Sequence, residues 1–197
     1  MVRVVTITED FKLAYNLRLA LEVSAFQFAH LSSKEELKVD DILVQSRNDE
    51  VVEHPRRILL SRKASKSKIL SSIFKLMEGE GNIIVGIDPG KTIGIAILQN
   101  ANVISTSSFR DILLVEQWIK EEISTLSYRG FCIRIGNTGG EYNEPILDYI
   151  HKQFHKIARI EIVDETRSTY RTKGNTPRVH ENAAIAIAKR NGTTSSG

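Results

Sequence analysis

The stretch Ile83-Ile84-Val85-Gly86-Ile87-Asp88-Pro89-Gly90-Lys91-Thr92-Ile93-Gly94-Ile95-Ala96-Ile97-Leu98 decides the fold. Its first six residues are a continuous apolar run that ends in a carboxylate, the pattern of a central strand buried on both faces. Pro89-Gly90-Lys91-Thr92 turns the chain, and 93–98 returns as a second strand. Gln99-Asn100-Ala101-Asn102 makes another turn, and Val103 to Phe109 completes a three-stranded meander. Beyond it the spacing predicts a helix from Asp111 to about Leu126, a strand at 131–135, a helix over 142–157 and a strand at 159–163. A last helix starts near Val179 and runs through Ala183-Ala184-Ile185-Ala186-Ile187-Ala188. The order is β-β-β-α-β-α-β-α. The polar end, residues 191–197, reads as a flexible tail.

Upstream, residues 2–7 read as a β-branched strand, and apolar positions between Phe11 and Val23 recur at helical spacing. Strands follow at 26–31 and 41–45, with Ser33 and Glu36 spaced as a helix-capping pair between them. Alternating strands and helices imply a small parallel α/β unit over residues 1–53. Residues 54–81 read as a basic connection. Ile69, Leu70, Ile73, Phe74, Leu76 and Met77 predict an amphipathic helix from about Ser65 to Glu78 within it. The second domain then spans 82–190.

Charge is unevenly distributed. Residues 1–53 carry 6 basic and 10 acidic side chains, whereas 54–80 carry 7 basic and 2 acidic. Arg56, Arg57, Arg62 and Lys63 lead the basic block, which is either a phosphate contact or a solvated linker. Hydrophobic residues make up 41% of the 197, enough for a packed core and too many for a disordered chain. No apolar run approaches the ~18 residues of a membrane helix, and Met1-Val-Arg-Val-Val-Thr-Ile lacks the order of a secretion signal. A cytoplasmic protein without membrane contact is expected. The single cysteine, Cys132, excludes an internal disulfide and a cysteine-rich zinc site, and reads as a small buried hydrophobe.

Asp88 is the first chemically informative residue, because a carboxylate at the end of a buried strand is costly unless it is paired or metal-bound. The alternative is a carboxylate that only caps the turn. Gly86-Ile87-Asp88-Pro89-Gly90-Lys91-Thr92-Ile93-Gly94-Ile95-Ala96 resembles the first motif of the RuvC and YqgF-type Holliday-junction resolvases, members of the ribonuclease H-like superfamily, whose element order is the one read above. In that family the aspartate binds a catalytic divalent metal. Val163-Asp164-Glu165-Thr166-Arg167-Ser168-Thr169 is similar to the Asp-Glu-Arg…Thr motif of YqgF-like proteins, with Thr166 where an arginine would stand. The resemblance makes Glu165 a second metal ligand and Asp164 a weaker candidate. The other reading is a polar loop with a helix cap.

Val179-His180-Glu181-Asn182-Ala183-Ala184 looks like the last motif of the same families, which implies that His180 is a metal ligand or general base. Two departures stand out: Ala183 occupies the place of an aspartate of RuvC members, and Gly136-Asn137 that of a glutamate. Asp88, Glu165 and His180 are therefore the expected catalytic and metal-binding set, with Mg²⁺ or Mn²⁺ as cofactor. Glu181 reads as a solvated helix-start residue that can also replace a missing carboxylate. Lys91, Arg167, Arg171, Lys173 and Arg178 supply further cations for a phosphate backbone, with Tyr170 able to stack on a base. Gly136-Asn137-Thr138-Gly139-Gly140 is a weak phosphate-cradle pattern.

These readings imply metal-dependent phosphodiester hydrolysis on branched or structured nucleic acid, DNA ahead of RNA, and leave a homodimer open. Two rivals differ in class. One is a ribonuclease H-like module that binds nucleic acid without cleaving it. The other is an actin-like or sugar-kinase-type phosphotransferase, whose first motif also runs Gly-Ile-Asp-x-Gly but which carries a duplicated domain.

Overall fold

The computed structural model describes residues 2–22, 26–137, 139–164 and 178–194. The chain divides into two compact units, residues 1–79 and 80–197. Among the described residues no helix is long and apolar enough to cross a membrane.

The first unit is a four-stranded parallel sheet of order β2-β1-β3-β4, from β1 (Arg3–Thr6), β2 (Gln27–His30), β3 (Ile42–Ser46) and β4 (Arg57–Leu60). Helix α1 (Phe11–Leu21) links β1 to β2, and a 3₁₀ turn at Lys34–Glu36 precedes β3. The Ser33/Glu36 pair is realised, with Glu36 Oε1 accepting from the backbone N–H groups of Ser32 and Ser33. Helix α2 (Lys66–Glu78) packs on α1, and Phe26 meets Phe74 with ring centroids 5.7 Å apart.

Residues 54–81 therefore do not form a connection standing apart from the sheet. Arg57-Ile58-Leu59-Leu60 alternates half-buried and buried positions and extends the sheet as its fourth strand, and the apolar stripe of α2 closes the same unit. A fifty-residue, three-stranded unit would leave one side of β3 bare; β4 covers it, and α2 packs on α1 and β4.

The second unit is a six-stranded mixed sheet of order β10-β9-β8-β5-β6-β7. Strands β5 (Asn82–Asp88), β6 (Ile93–Gln99) and β7 (Asn102–Phe109) form the antiparallel meander; β8 (Gly130–Asn137) and β9 (Arg159–Asp164) add in parallel to β5. With α3 (Ile112–Ser124), α4 (Asn143–Phe154) and α5 (Val179–Ala188) this is the ribonuclease H-like order expected from the sequence. The tail departs from expectation. Thr193–Thr194 forms β10, pairing antiparallel with β9, whose edge N–H and C=O groups would otherwise lie open. Gly192 permits it, since a Cβ there would stand 2.7 Å from Cβ of Glu161.

Register sorts the residues onto two faces, because cross-strand partners point the same way. Phe131 and Phe109 lie on one face, where they meet Phe154 of α4 and Trp118 of α3. The opposite face belongs to α5 alone among the described helices. There Thr106, Ala96, Gly86, Arg134 and Glu161 form one row across five strands.

In the first unit, Arg3 Nε donates to Asp41 Oδ1 at 2.7 Å, holding the Asp41 carboxyl below its ordinary value of 3.8. A depressed carboxyl stabilises the fold fully above its unfolded value, and that stabilisation is lost as pH falls through the folded one. Asp41→Asn should therefore destabilise the chain by about 1–3 kcal/mol near neutrality. The gap between parent and variant, measured by urea unfolding, should close below pH 3.8. A gap that stays constant into acid would overturn this account.

Candidate active site

Asp88 ends β5 and pairs with Gly94 on β6, on the face that α5 covers. Above Gly94 runs the first turn of α5: a Cβ at residue 94 would lie 2.1 Å from the carbonyl oxygen of His180. Gly86 plays the same part further along, where a Cβ would lie 2.1 Å from the carbonyl oxygen of Ala184. Helix backbone thus rests directly on sheet backbone, and Ala184 and Ala188 are small enough to sit against Ala96 and Leu98. This approach brings His180 Nδ1 to 3.4 Å from Asp88 Oδ2. The two residues are 92 positions apart in the chain, so the fold alone joins them.

Only 17% of the Asp88 side chain is exposed, against 48% for His180. Burial pushes the Asp88 carboxyl above its ordinary value, and the hydrogen bond and charge of His180 pull it back only in part. Asp88 is therefore no simple turn cap. It is a desolvated carboxylate at the carboxyl edge of the sheet, open on the side where an imidazole reaches it. A carboxylate oxygen and an imidazole nitrogen suit Mn²⁺ at least as well as Mg²⁺, so the pair fits as two donors of a divalent ion. Among the described residues no group of three His, Cys, Asp or Glu side chains could hold a metal. Glu165, the third expected ligand, lies outside the described residues, as do Arg167, Tyr170, Arg171 and Lys173. Asp164 is the exposed last residue of β9, in register with Asn137 and so on the face opposite Asp88.

Glu181 differs from its expected solvated role. It accepts a hydrogen bond from Thr106 Oγ1 of β7 at 3.4 Å and lies 3.8 Å from Arg178 Nε, which ties the start of α5 to the sheet. The far end of α5 is held by a pair that the motifs did not point to. Arg134 Nη1 donates to the carbonyl of Ala188 at 2.7 Å, and its Nε donates to Glu161 Oε2 at 2.7 Å. Arg159 approaches the other Glu161 oxygen at 2.6 Å. Burial alone would push the Glu161 carboxyl up, but the Arg134 hydrogen bond and the two guanidinium charges leave it below its ordinary value. The signal was present in sequence: Arg134 and Glu161 are opposite charges, each interrupting an apolar strand. Cys132 beside them is buried as expected, and burial raises its thiol.

Within the first unit, Arg56 and Arg57 lie apart from Arg62 and Lys63. Arg57 Nη1 donates to the Val52 carbonyl and faces Glu53 Oε1, both at 3.1 Å, and Arg56 Nη1 donates to the Asp40 carbonyl at 2.9 Å. The Arg57 guanidinium serves the loop before β4, and that of Arg56 ties the start of β4 to the loop before β3. Arg62 and Lys63 are exposed at the opposite end of β4, roughly 13 Å away at strand rise. Lys91 is exposed in the turn after Asp88, and Arg178 is exposed just before α5. In the glycine-rich loop, Asn137 Oδ1 accepts from the Gly139 N–H at 3.3 Å, so that donor is already engaged.

No family model matches the chain, and no curated protein matches it either. Among solved structures the chain is similar to Argonaute of Aquifex aeolicus, at 12% identity and a TM-score of 0.29 over 83% of this chain. A second similar structure is Aa-Ago with externally bound siRNA, at 10% identity and a TM-score of 0.26. The chain spans 35% of each of those chains. Likeness at this level does not bear on the activity of the present chain, and its fold is read from its own strand order.

Two stability predictions follow from how α5 is seated. Gly94→Ala sets a methyl against helix backbone, which cannot give way as a flexible side chain would. It should cost about 3 kcal/mol in urea unfolding; parental stability would mean that α5 does not rest on β6. Arg134→Met leaves Glu161 buried with only the exposed Arg159 and strips the Ala188 carbonyl of its donor. A loss of about 3–5 kcal/mol is expected, with much of it recovered in Arg134→Met/Glu161→Leu, where no buried charge is left unmatched.

Proposed function

We propose that residues 80–197 hydrolyse phosphodiester bonds of branched or structured nucleic acid, in the manner of the RuvC/YqgF-like resolvases that the Asp88 motif resembles. The meeting of Asp88 and His180 at 3.4 Å, at the carboxyl edge of the central strands, carries this reading. Ligands of open α/β sheets bind at that edge.

Asp88 faces Nδ1 of His180 and so orients the ring, leaving Nε2 on the far side of the imidazole. From there His180 can take a proton from an attacking water, with the Asp88 charge stabilising the imidazolium that forms. Where Asp88 and His180, joined by Glu165, instead hold Mg²⁺ or Mn²⁺, the imidazole is a ligand rather than the base; such an ion would polarise a phosphoryl oxygen and lower the pKa of its water. Lys91, three residues after Asp88, and Arg178, two before His180, would contact the flanking phosphates. DNA is the substrate we favour over RNA.

A second reading, a module that binds nucleic acid without cutting it, draws on Gly136, Asn137 and Ala183 at the positions where RuvC members carry acids. A duplicated-domain phosphotransferase draws no support from the fold, since the first unit is an all-parallel sheet rather than a second copy of the mixed one.

The test is cleavage of a labelled four-way DNA junction, its duplex arms and an RNA–DNA hybrid, with Mg²⁺, Mn²⁺ or chelator. The parent should cut in the presence of metal, and Asp88→Asn or His180→Ala should each slow cleavage by about 10²–10⁴-fold with folding intact. Equal cutting by parent and Asp88→Asn would sink the proposal. Binding without cutting by the parent would select the second reading.

A further inference from the structure

The outer face of α1 carries two aromatic rings that the fold does not use. Phe11 is 78% exposed and Tyr15 61%, while Leu13, Ala14, Leu17, Ala20 and Leu21 turn the other side of the helix into the core. Residues four apart on a helix sit one turn above another, with Cβ atoms about 5–6 Å apart, so the two rings are neighbours on one stripe. Arg18 continues that stripe and is exposed.

Cations are brought to the same place by the cap of the helix. Asp10 Oδ1 accepts from the N–H groups of Lys12 and Leu13, and its Oδ2 lies 4.0 Å from Arg62 Nε. The turn after β4, fixed by Ser61 accepting from Lys63 N–H and Ala64 N–H, thereby sets Arg62 and Lys63 at the start of α1. Lys12, Arg18, Arg62 and Lys63, all exposed, therefore lie on or beside the helix that bears the rings. The exposed acids of this region are Glu9 and Glu22, and Glu22 lies 3.9 Å from Arg18. Surface pairs of this kind are worth little and yield readily to a phosphate.

We propose that this face of α1 binds single-stranded nucleic acid, with unstacked bases lying on Phe11 and Tyr15 and the backbone held by Lys12, Arg18, Arg62 and Lys63. Aromatic platforms flanked by cations are what a single strand needs and a duplex cannot use, because paired bases keep their faces hidden. The inference is independent of Asp88 and His180. It holds for a chain that binds without cutting, and it gives the first unit a role that the second does not supply.

Fluorescence anisotropy of the full chain with a labelled oligothymidylate, and with a duplex of equal length, tests it. Each lost stack corresponds to about 5- to 150-fold in affinity, so Phe11→Ala/Tyr15→Ala should weaken oligothymidylate binding at least tenfold and leave duplex binding unchanged. Arg62→Ala/Lys63→Ala should make the slope of log affinity against log salt shallower by about 1.4. Leu113→Ala/Leu114→Ala, at exposed apolar positions on α3, should bind like the parent. A parent that does not bind oligothymidylate, a ring variant that binds as the parent does, or an equal loss on duplex would each overturn the proposal. Oligothymidylate binding without junction cleavage would instead count against the nuclease reading alone.

Discussion

The second unit depends on one close approach: the backbone of α5 lying on the backbone of β5 and β6 at Gly86 and Gly94. Neither glycine is needed for a turn. Each is there because a single methyl would meet a helix carbonyl at 2.1 Å. From that contact the rest follows in order. The helix runs across the strands rather than along them, meeting Thr106 of β7 through Glu181, Gly86 of β5 through Ala184, and Arg134 of β8 through Ala188. Seven residues of helix rise span roughly 10 Å, and three strand spacings are about 14 Å. The polar side chains at the two ends close the difference. His180, one residue before Glu181, is thereby carried to the strand end where Asp88 lies.

The polar ends and the small middle of that row do different work. Close packing of Gly86, Ala96, Ala184 and Ala188 supplies dispersion and excludes water, but small apolar faces offer little to fix one register along the helix. Thr106–Glu181 at one end and Arg134–Ala188 at the other are directional, and they select a single position for α5. A buried ion pair such as Arg134–Glu161 adds little net stability over a hydrophobic pair of the same shape. Its consequence here is positional, since the guanidinium that satisfies Glu161 also satisfies the carbonyl at the end of α5.

Most of the second unit was legible in the sequence because its signals are local. Apolar runs ending in turns gave the meander, and helical periodicity gave α3 to α5, each within a few residues of its observed bounds. Asp88 and His180 were legible as candidates through motifs at strand and helix ends. What escaped was non-local. Strand β4 was hidden because four residues following Pro55 in a basic stretch look like the lead-in to a helix, and only the open side of β3 makes them a strand. The charge of Arg56 and Arg57 is visible in sequence and suits a phosphate contact or a solvated linker alike, whereas the carbonyls of Asp40 and Val52 that engage them are not visible there. Thr193 and Thr194 are too short a run to signal a strand on their own; the edge of β9 pairs them.

The same non-local logic makes Asp88 unusual as a carboxylate. An aspartate at a strand end is commonly solvated, and nothing in Ile87-Asp88-Pro89 alone would desolvate it. The glycine opposite does so: with no side chain at 94, α5 settles low enough to cover the edge and leaves the carboxylate mostly buried beside one imidazole. Burial raises the free energy of the ionised form, and His180 offsets this only in part. A charged carboxylate held so is under-compensated, and what relieves it is positive charge arriving from the open side, whether an imidazolium proton or a cation. The packing that seats the helix and the electrostatics that prepare the site are therefore one constraint. A residue larger than glycine at 94 would lift the helix and wet Asp88.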